Sequence, residues 1–185
     1  GGGRDVRTGE PWAADTLNVV FSCTKGLTAV LAARLVQEGC LDYHAPVSDY
    51  WPEFAQAGKQ KVLVRHVLGH RSGLSAPVRD LTTDEMLDWG TVTSALAEQA
   101  PLWVPGYAYA YHAITQGWLA GEIIRRVTGV SPGQYFAEFV ADPLGVEAWI
   151  GLPEALEHRV SHLTVGPTLQ ALIDTQAAAR MPGVI

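Results

Sequence analysis

Apolar residues run almost unbroken through residues 18–40, NVVFSCTKGLTAVLAARLVQEGC. The pattern predicts a helix from Ser22 to Glu38, stopped at Gly39, a residue that tolerates the left-handed conformation of a helix end. Between Phe21 and Arg34 this helix carries a single charge, Lys25. A helix apolar on nearly every side belongs inside a protein, where lysine is rarely found.

The remaining patterns predict mostly short helices. LDYHAPVSDYWPEF (41–54) reads as a loop of turn formers and large aromatics, and VLVRHVLGH (62–70) as a short helix closed by the loop RSGLSAP. Thr83 is placed to cap DEMLDWG (84–90), with Asp84 and Glu85 favourable in the first turn. TVTSALAEQA (91–100) forms another helix, ended by PLWVPG. YHAITQGWLAGEIIRRVTG (111–129) has apolar residues at Ile114, Trp118, Leu119, Ile123 and Val127, a helical period. Ser131 and Pro132 supply the cap and first residue of the helix that continues GQYFAEFVADPLG. Only AWIGL (148–152) and HRVSHLTV (158–165) read as strands. The opening glycine triplet reads as a tag remnant or a turn, and TLQALIDTQAAARMPGVI (168–185) trails off without a closing signal. A helical layer with so little sheet of its own is expected to be part of a larger domain.

Composition narrows the function classes. With 185 residues and 48% hydrophobic content the chain has one domain's worth of core. A net charge of −6 gives no basic footprint for nucleic acid or an anionic membrane surface. No apolar run approaches the ~20 residues that cross a bilayer. The two cysteines, Cys23 and Cys40, would lie roughly 25 Å apart along one helix, too far for a disulfide. Free thiols suit a reducing compartment.

The candidate chemistry lies at the head of the first helix. Ser22 and Lys25, three residues apart, share one helical face. A capping hydroxyl beside a lysine that snorkels to water would explain the pair without any chemistry. The apolar surroundings favour another reading. An ammonium left among Leu27, Val30, Leu31 and Leu35 costs several kcal/mol unless it is paired or gives up its proton, and a desolvated lysine becomes a base. A serine one turn away is then an activated nucleophile, and the helix N-terminus favours negative charge developing on an attacked carbonyl.

At this point the sequence resembles a known family. SCTK (22–25) resembles the Ser-x-x-Lys motif of the serine β-lactamase and penicillin-binding-protein superfamily. EGCLDYHAPVSDYWPEF, VRHVLGHRSGL, PGYAYAYHAITQGWLAGEIIRRVTG and WIGLP are similar, in the same order, to segments of its class C branch. The resemblance implies an α+β, β-lactamase/transpeptidase-like fold, of which residues 1–185 would hold mainly the helical half. It implies Ser22 as acyl-accepting nucleophile, Lys25 as its activating partner and Tyr111 as the motif tyrosine that shares proton transfer. The asparagine of that motif, which contacts amide-bearing substrates, is replaced by Ala113, as is common in family VIII carboxylesterases. Nothing here matches the third motif, a Lys-Thr-Gly strand or its variants, so the chain by itself is expected to be nearly inactive, with an apolar face of the first helix uncovered.

Two histidine pairs, His66/His70 and His158/His162, have i, i+4 spacing, but a His-Glu-x-x-His zinc motif would need Glu where Val67 stands. Carboxylates are scattered, without the couple a glycosidase uses. The expectation is therefore a serine hydrolase of small carboxylic esters, needing neither cofactor nor metal and reading no nucleic acid. A β-lactamase or D-alanyl-D-alanine carboxypeptidase is the alternative within the same chemistry. A non-catalytic scaffold or binding protein of the same fold is the alternative outside it.

Overall fold

The computed structural model describes residues 2–168, 170 and 171. The chain divides into two compact units, residues 22–150 and the two ends together, 1–21 with 151–185. The closing segment 168–185 lies almost wholly outside the described residues.

The central unit is helical. Helix α1 spans Cys23–Gln37, with Glu38 as its cap and Gly39 in the left-handed conformation at φ +73°. It packs on α5 (Thr115–Thr128) and α6 (Pro132–Phe136) through Thr28, Leu31, Ala32 and Leu35. One face of α1 is uncovered by the described residues. Gly26, Ala29 and Ala33 are exposed, and Val30 is 52% exposed. Packing partners among the described residues cover one face only, and an apolar sequence alone does not say how many faces are covered.

Helices α2 (Val64–Leu68), α3 (Thr83–Leu87) and α4 (Trp89–Glu98) complete the wall. Thr82, not Thr83, caps α3. Its hydroxyl accepts from the Glu85 N–H at 3.3 Å, and the Glu85 carboxylate accepts from the Thr82 N–H at 2.9 Å. This reciprocal box satisfies two N–H groups and selects the threonine three residues before the glutamate. Asp88 then breaks the predicted 84–90 helix by capping α4 through the Thr91 N–H at 2.7 Å. The Ser131 cap holds as expected, reciprocated by Gln134. A π-helical turn, Ala137–Ala141, leads to α7 (Asp142–Leu144).

The core joins Leu31, Leu35, Leu119, Ile123 and Phe136 to Trp51 and Phe54 of the 41–54 loop, whose rings lie 5.1 Å apart. Helix α5 also buries Glu122. Burial alone would raise its carboxyl, but Arg125, Arg126 and the Trp89 indole N–H all donate to it and hold it at about 2.

In the unit formed by the two ends, β1 (Gly3–Asp5) pairs antiparallel with β2 (Glu10–Pro11). Gly3, the last of the opening glycines, thus begins a strand. Residues 148–152 and 158–165 are not strands. His158 lies in the 3₁₀ turn Glu154–Arg159, and Val160 forms only an isolated parallel bridge with Leu17. Alternation of apolar residues predicts a strand only where a neighbour offers a ladder, and here Leu17 offers one rung.

Candidate active site

The site rests on the loop that follows α2. His70 adopts a left-handed φ of +58°, an uncommon conformation for a residue with a side chain. Gly73 follows at φ +81°, where a Cβ would come within 2.8 Å of Pro101 Cβ and of the Trp103 carbonyl oxygen. That absence of a side chain lets residues 101–112 lie alongside 70–74. Leu102 N–H donates to Gly73 O (2.7 Å), Gly106 N–H to Arg71 O (2.9 Å) and Ala110 N–H to His70 O (3.3 Å). Thr115, the first residue of α5, donates from its hydroxyl to Leu74 O at 2.6 Å. Residues 111–114, predicted to be helical, precede α5: Ile114 is its cap, while the His112 N–H and the Ala113 carbonyl bond to His70 and Lys25.

This course carries Tyr111 to the head of α1. Tyr111 Oη donates to Ser22 Oγ at 2.7 Å, and Lys25 Nζ donates to the same oxygen at 3.2 Å. Lys25 Nζ also donates to the Ala113 carbonyl at 2.6 Å and lies 5.1 Å from the centre of the Tyr111 ring. Ser22 makes no side-chain cap to α1, so its hydroxyl is engaged by these two groups instead. Hydrogen bonds with Ser22 and then with Lys25 hold the Tyr111 phenol below its ordinary pKa. Ser22, Lys25, Tyr111 and Ala113, all singled out in the sequence, thus converge, with Ala113 contributing a backbone carbonyl that no reading of side chains could anticipate.

Lys25 is only half-buried, contrary to the argument from a buried helix. Its amine is placed by specific acceptors more than by apolar confinement.

A second layer stands behind the site. His70 packs its ring 4.9 Å from Tyr111 and 5.5 Å from His112. Its Nδ1 accepts the His112 backbone N–H at 3.1 Å. Desolvation, and then the Lys25 charge, lower the His70 pKa. His112 is wholly buried, and its Nε2 lies 2.8 Å from the Ser72 hydroxyl. Sequence reasoning passed over His112. Its only signal was a polar residue between two site positions. His66 and His70 do not converge on a common point: His66 Nδ1 accepts from the Leu63 N–H while His70 turns to His112. Among the described residues no cluster of three His, Cys, Asp or Glu side chains could hold a metal ion. Cys23 and Cys40 are both free and exposed.

Comparison with known proteins places the chain in a family. The family model described as Beta-lactamase matches residues 1–183. The chain belongs to the Beta-lactamase family. It is 42% identical over 146 residues to the esterase/beta-lactamase LipL of Mycobacterium tuberculosis, an alignment covering 78% of this chain and 34% of that protein. Among solved structures, a penicillin-binding-protein homologue from Caulobacter crescentus superposes with a TM-score of 0.85 at 45% identity, covering 90% of this chain and 45% of that one. A family VIII carboxylesterase superposes with a TM-score of 0.87 at 41% identity over all of this chain and 50% of its own. The fold is thus β-lactamase/transpeptidase-like, and the chain spans between a third and a half of the length of these relatives.

Proposed function

We propose that the protein carrying this chain is a serine hydrolase that cleaves carboxylic esters through an acyl-enzyme on Ser22. The observation that carries this reading is the pair of groups on one oxygen, Tyr111 Oη at 2.7 Å and Lys25 Nζ at 3.2 Å from Ser22 Oγ. Both are within the reach that proton transfer requires.

In its phenolate form, which the site favours by lowering its pKa, Tyr111 takes the Ser22 proton as the Ser22 oxygen attacks the ester carbonyl. Lys25 compensates charge on Ser22 and Tyr111 while Ala113 O fixes its position. The positive N-terminal end of α1 favours charge on the developing oxyanion. Collapse of the tetrahedral intermediate breaks the bond to the leaving alkoxide, which takes the proton back from Tyr111. Water then repeats the sequence on the acyl-enzyme and releases the acid. No step draws on a cofactor or a metal. Relatives named as esterase and carboxylesterase support the ester reading.

The test is labelling of the protein at its natural length with a fluorophosphonate, read by intact mass and peptide mapping. One adduct on Ser22, absent from Ser22→Ala, is expected. Equal labelling of parent and variant would reject the nucleophile. No labelling of the parent, with no hydrolysis of p-nitrophenyl butyrate or nitrocefin, would favour the non-catalytic scaffold.

A further inference from the structure

We propose that His112 is a positioning residue, which through its buried neutral imidazole sets the Tyr111 phenol and the Ala113 carbonyl against Ser22 and Lys25. The proposal rests on the reading of Ser22, Lys25 and Tyr111 given above, and its observations are separate from that reading.

His112 sits between the two residues that reach the site, and its own side chain points the other way, into full burial. Its ring is matched at both nitrogens. Nδ1 lies 2.6 Å from Ala110 O, which can only accept, so Nδ1 carries the hydrogen. Nε2 is then unprotonated and accepts from the Ser72 hydroxyl at 2.8 Å and from the Leu74 N–H at 3.3 Å. Its backbone N–H goes to His70 Nδ1. One residue thereby ties the 110–113 segment to its own preceding carbonyl, to Ser72, to Leu74 and to His70. Burial favours the neutral ring, outweighing the pull of the Ala110 carbonyl. An imidazolium here would set an Nε2–H against the Leu74 N–H.

A buried histidine with satisfied nitrogens is also what ordinary packing produces, so the geometry around it decides. Tyr111 Oη and Ala113 O belong to the adjoining residues, and each makes a direct bond to the Ser22–Lys25 pair. Loosening the segment by ~1 Å would displace both at once, and misplacement on that scale costs on the order of a hundredfold in rate. It would also lengthen the bonds that lower the Tyr111 pKa. The charged and titratable groups facing Tyr111 are Lys25 from α1 and His70 from the loop after α2; substituting His112 leaves Lys25 untouched and changes a ring 5.5 Å from His70.

The experiment compares parent, His112→Phe and His112→Asn at natural length, with Val92→Ala as a core variant in α4. Val92 is buried and is not among the site residues, so it controls for destabilisation alone. Labelling of Ser22 by a fluorophosphonate and the pH dependence of ester hydrolysis are both read. His112→Phe should lower kcat about a hundredfold with KM changed less than threefold, and should raise the apparent pKa of the basic group by about one unit. His112→Asn, which keeps a donor toward Ala110 O, should recover about tenfold. Val92→Ala should leave the apparent pKa in place. A His112→Phe protein with parental kcat and pH profile, or one with lower kcat and an unmoved pKa that Asn does not improve, overturns the positioning role while Ser22 still labels. A parent that does not label at Ser22 overturns the catalytic reading itself, and this proposal with it.

Discussion

Lys25 and Lys59 are both drawn in from the surface, and they show what burial does and does not say about a lysine. Lys59 is the more deeply placed, with no exposed surface. Its amine donates to the carbonyls of Gln56 and Gln99 and sits 5.3 Å from the Phe54 ring. Desolvation lowers it to about 8, yet none of these partners has a proton to exchange. Lys25 is only half-buried, and it shares a hydroxyl with a phenol. A low-dielectric setting makes a lysine a base in principle, but chemistry needs a titratable neighbour and room for a substrate. By that criterion Lys59 is a strut, and Lys25 is the lysine that serves the proposed chemistry.

The comparison breaks most readily at Lys25. Lys25→Ala should slow labelling of Ser22 by about 10²–10³, the usual cost of losing one charge-stabilising donor, with little change in the unfolding midpoint. Lys59→Met should do the reverse. It removes the donor to Gln99 O and should lower stability by about 1–3 kcal/mol in urea titration, with labelling unchanged. If the Lys59 variant loses labelling at full stability, the division between the two lysines is wrong.

The Ala113 position sharpens it further. Lys25 is held by the backbone carbonyl there, which Ala113→Asn retains, so the parent rate on p-nitrophenyl butyrate should survive. The new side-chain amide can pair with the exocyclic amide of a β-lactam, whose burial without a partner costs about 1–3 kcal/mol. The ratio of kcat/KM for nitrocefin over the ester should therefore rise by about fivefold or more. A parent already faster on nitrocefin would refute the ester preference. An unchanged ratio would remove only this explanation of it.

The smallest effect is the pH dependence of Lys59. Its folded pKa of about 8 lies below that of an unfolded lysine, near 10.4. Between these values the unfolded chain binds more protons than the folded one, so stability rises with pH across the window and is lowest below it. From pH 8 to 9 the gain should be about 1 kcal/mol, read as parent minus Lys59→Met so that other titrating groups cancel. A flat difference would mean that the amine is better solvated than its burial implies.

The sequence announced those features whose cause is local. The span of α1, its end at Gly39 and the Ser131 cap all depend on residues within one or two turns, and all are found. Ser22 and Lys25 were legible for the same reason, being one turn apart. Tyr111 came only through family resemblance, since nothing near it announces an approach to residue 22. What failed was non-local. Strands at 148–152 and 158–165 need partners that the pattern does not specify. Thr82 displaced Thr83 through a competition between neighbours that differ only in their distance to Glu85. His112 stayed hidden because its meaning comes from Ser72 and His70, some forty residues earlier.

The alternation at Tyr111, His112 and Ala113 bears on how such a protein can be diversified. Adding or deleting one residue between Gly106 and Tyr111 would exchange the two sides of the segment. A deletion would bring the imidazole to Ser22, and an addition would put the phenol in the space bounded by Ser72 and Leu74. Point substitutions in this stretch alter one contact each, whereas changes of length alter all of them together. Libraries that seek new acyl specificities here should therefore vary residue identity at Tyr107, Tyr109 and Ala113 and keep the spacing from Gly106 fixed.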